Sequence, residues 1–397
     1  MDTYKKIIII FLFLHLVGSV FFIVSTGERF KYWDEEDYYT IAHNVIEKGH
    51  FSRYGVENNA CRPPGYPFFL MAIMIFSDSI MVIKLFQLLL YYVSAYLIYK
   101  IAQSISNNQQ VSLISAGLLL IYPSILYTVN TVYPQILYMC LFLLLLYYLL
   151  IKSRSVWMFT LIGIINGFLI LIIPIHILFL PFIIYLIWKK NNLFKLSKSV
   201  IFVFLTFLVL LPWTWRNYKI FDDFVFISTN GGKNLLFGNC PLTTPNLGTT
   251  DISGIVEEDV IANLNQAEID HYYRSKAFNF IKQDPLHYLG LYFKKFINYF
   301  NFRNNLSTDN IQERIKDILI ILTWYPILLL ALFGLGIKEI RKNYLNFYLL
   351  LLFIFSGLFY AFFFTRIRFR LPFVPFLIII AAQTLFYLYN KLRNNFI

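Results

Sequence analysis

Residues 7–24 read IIIIFLFLHLVGSVFFIV, 18 residues without a charge. As a helix rising about 1.5 Å per residue the run is about 27 Å long, close to the roughly 30 Å hydrocarbon core of a bilayer. It follows Lys5 and Lys6 and so resembles a signal peptide, but it is long and lacks an A-x-A cleavage site, which leads us to expect an uncleaved first membrane helix. Comparable runs lie at about 80–103, 111–129, 133–151, 156–173, 174–188, 197–214, 318–337, 345–364 and 371–389. The two runs flanking Pro174 also read as one broken span, so the pattern predicts about ten transmembrane helices in an all-α polytopic membrane protein.

Composition agrees with that reading. The 397 residues are 58% hydrophobic, 19% aromatic and 14% charged, against roughly 25% charged in soluble domains. A soluble core cannot hide such a surplus, because surface shrinks too slowly with size. Placing the N-terminus in the cytoplasm sets 14 basic residues, from Lys5 to Arg393, against Asp2 and Glu339 on the inner side; that excess equals the net charge of +12. The basic balance is thus a positive-inside signal, and no nucleic-acid partner is implied.

Two segments are too long to be connectors. The chain divides into a first helix (1–25), a first extracytoplasmic loop (26–79), membrane helices (80–215), a second extracytoplasmic loop (216–317) and C-terminal membrane helices (318–397). The second loop holds a helical stretch, 267–282, and an amphipathic one, 286–300, with Lys294 and Lys295 on its polar side and Leu289, Phe293, Phe296, Ile297 and Phe300 on its apolar side. Such a helix lies in the membrane interface.

Ionisable groups at the membrane boundary are the functional suspects. Tyr32-Trp33-Asp34-Glu35-Glu36-Asp37-Tyr38-Tyr39 puts four carboxylates directly after the first helix. Two readings stay open: a solvated acidic face, or hard oxygen ligands (Asp34, Glu35 and Asp37) for a divalent cation such as magnesium or manganese. Three arginine clusters follow at helix–loop junctions of the same leaflet. They are Cys61-Arg62-Pro63-Pro64-Gly65-Tyr66-Pro67, Pro212-Trp213-Thr214-Trp215-Arg216-Asn217-Tyr218 and Arg366-Ile367-Arg368-Phe369-Arg370-Leu371-Pro372. A single arginine there snorkels; several at one depth suit a phosphate, which a guanidinium binds in bidentate fashion.

The order of these motifs, continued by Ser228-Thr229-Asn230-Gly231-Gly232-x-Asn234, Gly238-Asn239 and Ala277-x-x-Phe280-Ile281-x-x-x-Pro285, resembles the GT-C membrane glycosyltransferases. It is most similar to the branch of protein O-mannosyltransferases and lipid A aminoarabinose transferases. The resemblance implies transfer of a sugar, with inversion, from a polyprenyl-phosphate donor to a glycan, lipid or protein acceptor outside the cytoplasm. It implies Asp34 as the catalytic base, and makes Arg62, Arg216, Arg368 and Arg370 candidates for the donor phosphate. Tyr38, Tyr66, Asn230 and Asn234 would contact acceptor or sugar.

The chain departs from the family at Gln135, where an acid at the start of a helix is expected; an amide neither takes a proton nor holds a metal as a carboxylate does. Cys61 and Cys240 fall in the two outer loops, where an oxidising compartment permits a bridge, although the family motifs require cysteine at neither place. Cys140 is expected as a buried thiol. Rival readings are an O-antigen polymerase or ligase, which would not need Asp34 after the first helix, and a lipid or solute transporter. A transporter would place its ionisable site near the midplane, where His176 beside Pro174 is the only candidate; Lys84, near a helix end, is expected to snorkel.

Overall fold

The computed structural model describes residues 3–53, 59–152, 155–190, 195–246, 250–303 and 311–395. Among them every regular element is a helix. The first half comprises α1 (Thr3–Thr26), α2 (Trp33–Lys48), α3 (Gly65–Met74), α4 (Ile80–Ser106), α5 (Gln109–Leu120), α6 (Pro123–Val129), α7 (Gln135–Tyr147), α8 (Val156–Ile172), α9 (Leu180–Lys190) and α10 (Lys195–Phe221). The long segment that follows carries α11 (Gly231–Gly238), α12 (Glu258–Ile261), α13 (Gln266–Gln283) and α14 (Pro285–Asn298). The chain closes with α15 (Ile311–Gly336), α16 (Lys338–Arg341), α17 (Tyr344–Ala361), α18 (Ile367–Arg370) and α19 (Val374–Asn395).

Local chemistry sets the boundaries. At α4 the Ser79 hydroxyl accepts from Val82 N–H, and Glu28 accepts from the N–H groups of Ile80 and Met81. Asn265 and Glu268 form a reciprocal capping box at α13. Asp284 caps α14, whose first residue is Pro285.

Among the described residues, six helical segments are long and apolar enough to cross a bilayer, at residues 5–26, 80–106, 195–221, 314–336, 344–361 and 367–394; α5 and α6, bent by 57°, make a seventh if they count as one span. The expected number was about ten. The runs at 133–151, 156–173 and 174–188 are helices of 10–17 residues, cut short where Pro134 and Pro174 interrupt the hydrogen-bond ladder. Their side chains form the centre of the protein. They are joined there by Phe373 and Phe376: Tyr138, Phe142, His176 and Phe376 are buried and pack edge to face, and Phe179 stacks on Phe373. The long helices instead expose Ile7, Phe13 and Phe21 on α1, Phe204 and Leu211 on α10, and Leu322 and Leu329 on α15. Such surfaces are stable in lipid and not in water, which makes the chain a multi-pass membrane protein.

The midplane suspect is a satisfied core group. His176 is fully buried, with Nδ1 2.6 Å from the Tyr138 hydroxyl and Nε2 3.1 Å from Asn166 Oδ1. Lys84, likewise buried, does not snorkel; its Nζ donates to Gly27 O at 2.7 Å.

α3 delivers the first arginine motif, and it is wedged against α8. A Cβ on Gly65 would lie 2.7 Å from Ile172 Cγ1 and 2.8 Å from Ile172 N. Backbone cannot yield cheaply, so Gly65→Ala is expected to cost about 1–3 kcal/mol. The measurement is the thermal unfolding midpoint in detergent, and an unchanged midpoint would mean that α3 is not held there.

Candidate active site

The acidic run opens α2, with Asp34, Glu35 and Glu36 in the first turn at the positive end of the helix dipole. Helical spacing then sorts the carboxylates. Asp34, Asp37 and Tyr38 share a face, three and four residues apart, whereas Glu35 points about 100° away.

Arg62 faces the aspartate pair. Its Nη2 donates to Asp34 Oδ1 at 2.6 Å and to Asp37 Oδ2 at 2.6 Å, and its Nε donates to Asp37 Oδ2 at 3.2 Å. The second oxygen of Asp34 accepts from Arg368 Nη2 at 2.8 Å and from the Tyr133 hydroxyl at 3.4 Å. Arg53 Nε lies 2.7 Å from Asp37 Oδ1. The guanidiniums of Arg62 and Arg368 sit over the rings of Tyr38 and Tyr133, at 5.4 and 4.4 Å. The side chains of Asp34, Arg62 and Arg368 remain 28%, 21% and 24% exposed, against 2% for Asp37. A ligand can therefore reach Asp34 and its two arginines, while the buried Asp37 anchors Arg62.

Burial alone raises the Asp34 carboxyl, but the charges and hydrogen bonds of Arg62 and Arg368 outweigh it and hold Asp34 well below the usual carboxylate range. Glu35 moves the other way. Burial pushes it up, against the N–H groups of Val132 and Lys31 that donate to it. Burial, with repulsion from Arg368, brings Arg366 down to about 10. Lys233 is lowered by burial and by Arg53 and Arg62 nearby.

Of the four arginines expected at a phosphate, the structure brings Arg62 and Arg368 to Asp34 and turns the other two elsewhere. Arg370 is two residues from Arg368, about 200° around the helix. It is fully buried over the Trp324 ring at 4.1 Å, donating to the carbonyls of Tyr299 and Asn301. Arg216 donates to Asn59 O at 2.9 Å and lies over Trp213 at 4.7 Å, so it clamps the first loop onto α10. Tyr66 is fully buried, donates to Gln87 and packs on Tyr38 at 5.2 Å. That makes it a support for Tyr38 and removes it as a sugar contact. Asn230 and Asn234 stand at the start of α11, where Asn230 Oδ1 accepts from the Ser228 hydroxyl at 2.9 Å.

The donor set does not fit a divalent cation. Asp34 and Asp37 are saturated by guanidiniums, Glu35 binds backbone N–H groups, and no three His, Cys, Asp or Glu side chains gather among the described residues. Gln135, buried where the second acid was expected, adds no charge. The three cysteines are free thiols. Cys61 faces Asn59 Oδ1 and Cys240 faces the Thr243 hydroxyl, and the two long loops are joined instead by Thr229 N–H to Ala60 O at 2.8 Å and Ala60 N–H to Gln266 Oε1 at 3.1 Å.

Arg53, Tyr133, Lys233 and Arg366 were missed as site residues. Arg366 stood within a quoted motif, Lys233 at the open position between Gly232 and Asn234 of another, and Tyr133 two residues before Gln135, whereas Arg53 carried no local signal.

A profile of the dolichyl-phosphate-mannose-protein mannosyltransferase family matches residues 61–215, less than half of the chain. The archaeal oligosaccharyltransferase AglB from Archaeoglobus fulgidus, solved with an inhibitory peptide and a dolichol-phosphate, is similar with 14% identity and a TM-score of 0.57, over 99% of this chain and 52% of that one. The apo form of the Archaeoglobus fulgidus enzyme gives 14%, a TM-score of 0.53, and coverage of 97% and 52%. ArnT from Cupriavidus metallidurans bound to undecaprenyl phosphate gives 13%, a TM-score of 0.47, and coverage of 96% and 78%. The chain spans about half the length of the archaeal enzyme, and no curated protein sequence matches it. Likeness at this identity speaks for architecture, and the architecture agrees with the order of the motifs: the chain is a polytopic membrane protein with the fold of the GT-C glycosyltransferases.

Proposed function

We propose that the chain is a glycosyltransferase that moves a sugar from a polyprenyl phosphate to an acceptor hydroxyl on the extracytoplasmic face. The acceptor is a cell-surface glycan, lipid or protein. The observation that carries this reading is a single carboxylate, Asp34, held at each oxygen by a different guanidinium. One base and two phosphate-binding forks then share one spot. The dolichol-phosphate in the archaeal enzyme of the same fold supports a lipid-linked donor. The basic inner loops support a cytoplasmic N-terminus and an outward-facing site.

In this reading the donor phosphate enters between Arg62 and Arg368 and competes with Asp34 for them. Asp34, relieved of one or both arginines, regains basicity. The acceptor oxygen attacks the anomeric carbon opposite the phosphate, and its proton passes to Asp34. The bond from that carbon to the phosphate oxygen breaks, and its electron pair stays on the phosphate, whose charge the two arginines stabilise. The configuration inverts. Asn230, Asn234 and Tyr38 are assigned to the sugar or the acceptor.

The test uses purified protein in nanodiscs with a panel of polyprenyl-phosphate-linked sugars. Mass spectrometry should detect release of free polyprenyl phosphate from at least one donor, and comparison of surface glycans with and without the protein should reveal one missing sugar. No release from any donor, together with no binding of farnesyl phosphate, would overturn the reading.

A further inference from the structure

Arg368 lies on a short segment between α17 and α19, and both ends of that segment are fastened by α14. At the far end, Arg370 donates to the carbonyls of Tyr299 and Asn301, just past α14. At the near end stands Lys295, fully buried on α14 and not on its polar side as the sequence pattern suggested. Its Nζ donates to Phe363 O at 2.9 Å, Gly238 O at 2.8 Å and Asn239 Oδ1 at 3.1 Å. Its own carbonyl accepts from the Thr365 hydroxyl at 2.9 Å, which in turn accepts from Asn298 Nδ2 at 3.0 Å. Asn239 Nδ2 donates to Phe362 O at 2.8 Å. The end of α11 is pressed against the same turn, since a Cβ on Gly238 would lie 1.6 Å from Phe363 O.

A buried ammonium is costly unless every hydrogen has an acceptor. Burial brings the Lys295 amine down to about 7, and three oxygens surround it for the three hydrogens of its charged form. An apolar side chain would fill this volume without the desolvation cost. What Lys295 supplies that an apolar residue cannot is a fixed position for residues 362–365 relative to α11 and α14.

We propose that Lys295 is a positioning residue: by pinning the turn at Phe363 and Thr365 it sets where Arg368 emerges, and so whether Arg368 reaches Asp34 and the donor phosphate. The inference rests on the phosphate reading above. It gives the Gly238-Asn239 motif a task, because both residues are acceptors of the Lys295 amine.

The experiment measures binding of farnesyl phosphate, with farnesol as the phosphate-free control, by purified wild type, Lys295→Met, Arg368→Gln and the double variant, with thermal unfolding alongside. Each single variant should weaken farnesyl phosphate binding about tenfold or more and leave farnesol binding unchanged. The double variant should bind like Arg368→Gln alone, because an arginine that is gone cannot be mispositioned. Thr365→Val, which keeps the side-chain shape, reports the same effect should Lys295→Met not fold. Full additivity in the double variant, or unchanged binding in both Lys295→Met and Thr365→Val, would overturn the positioning role. Unchanged binding in Arg368→Gln itself would overturn the phosphate reading beneath it.

Discussion

Turnover of a lipid-linked sugar is expected to fall by about 10²–10⁴-fold in Asp34→Asn, while the protein stays folded and binds farnesyl phosphate at least as tightly as before. The carboxamide keeps the shape of the side chain and one oxygen acceptor, so little packing is lost. Arg62 retains Asp37 as a partner at 2.6 Å. What disappears is the negative charge, and with it both the base and the competitor for the two guanidiniums. Chemistry and phosphate binding therefore move in opposite directions, a split that a general loss of structure cannot produce. Near-normal turnover would remove Asp34 from the reaction. Phosphate binding lost together with turnover would give Asp34 a structural role instead.

The parts of this molecule that could be read in advance are those encoded within one segment. Apolar run lengths located the long helices, and the capping pattern around Asn265 and Glu268 agrees with the start of α13. Asp34 was conspicuous because aromatics and acids follow directly on a membrane helix. What stayed hidden depends on where a side chain points after packing. Four consecutive carboxylates read in sequence as either a solvated acidic face or a metal site, yet the helical period sends Glu35 to the N–H of Val132 and leaves Asp34 and Asp37 to Arg62. Arg368 and Arg370 are alike in sequence, but two residues of helix put them on opposite sides of one segment. Lys84 and Lys295 looked like interfacial lysines because nothing local announces the backbone carbonyls that receive them. Arg216 stands in a stretch that resembles a glycosyltransferase family motif, and in the structure it grips Asn59. A family motif thus marks a position in the fold before it marks a catalytic role.

Arg368→Gln is expected to lower turnover by about 10²–10³-fold and to bring an acid limb into the pH dependence of kcat/KM. The sign follows from the ion pairs of Asp34. Arg62 and Arg368 hold its carboxyl well below the usual range, so in the wild type Asp34 stays ionised through the ordinary carboxylate region. The stability that these pairs add is present above the unfolded value of roughly 3.9 and is lost only as pH falls through the lower folded value. Removing Arg368 takes away one charge and one hydrogen bond, and the Asp34 pKa rises towards the unfolded value. Proton uptake then begins at higher pH, so both activity and folding stability fail earlier on acidification. Arg62 is a poorer probe of the same effect. Its loss would leave Asp37, which is 2% exposed, with Arg53 as its remaining ion-pair partner, and stripping one partner from a buried pair costs about 3–5 kcal/mol. Arg62→Gln would therefore report folding before chemistry. Arg368 is bound to a carboxylate at Asp34 and to no other among the described residues, so its replacement is read at the proposed base. Unchanged turnover with an unmoved acid limb would mean that the contact at 2.8 Å serves neither the phosphate nor the base.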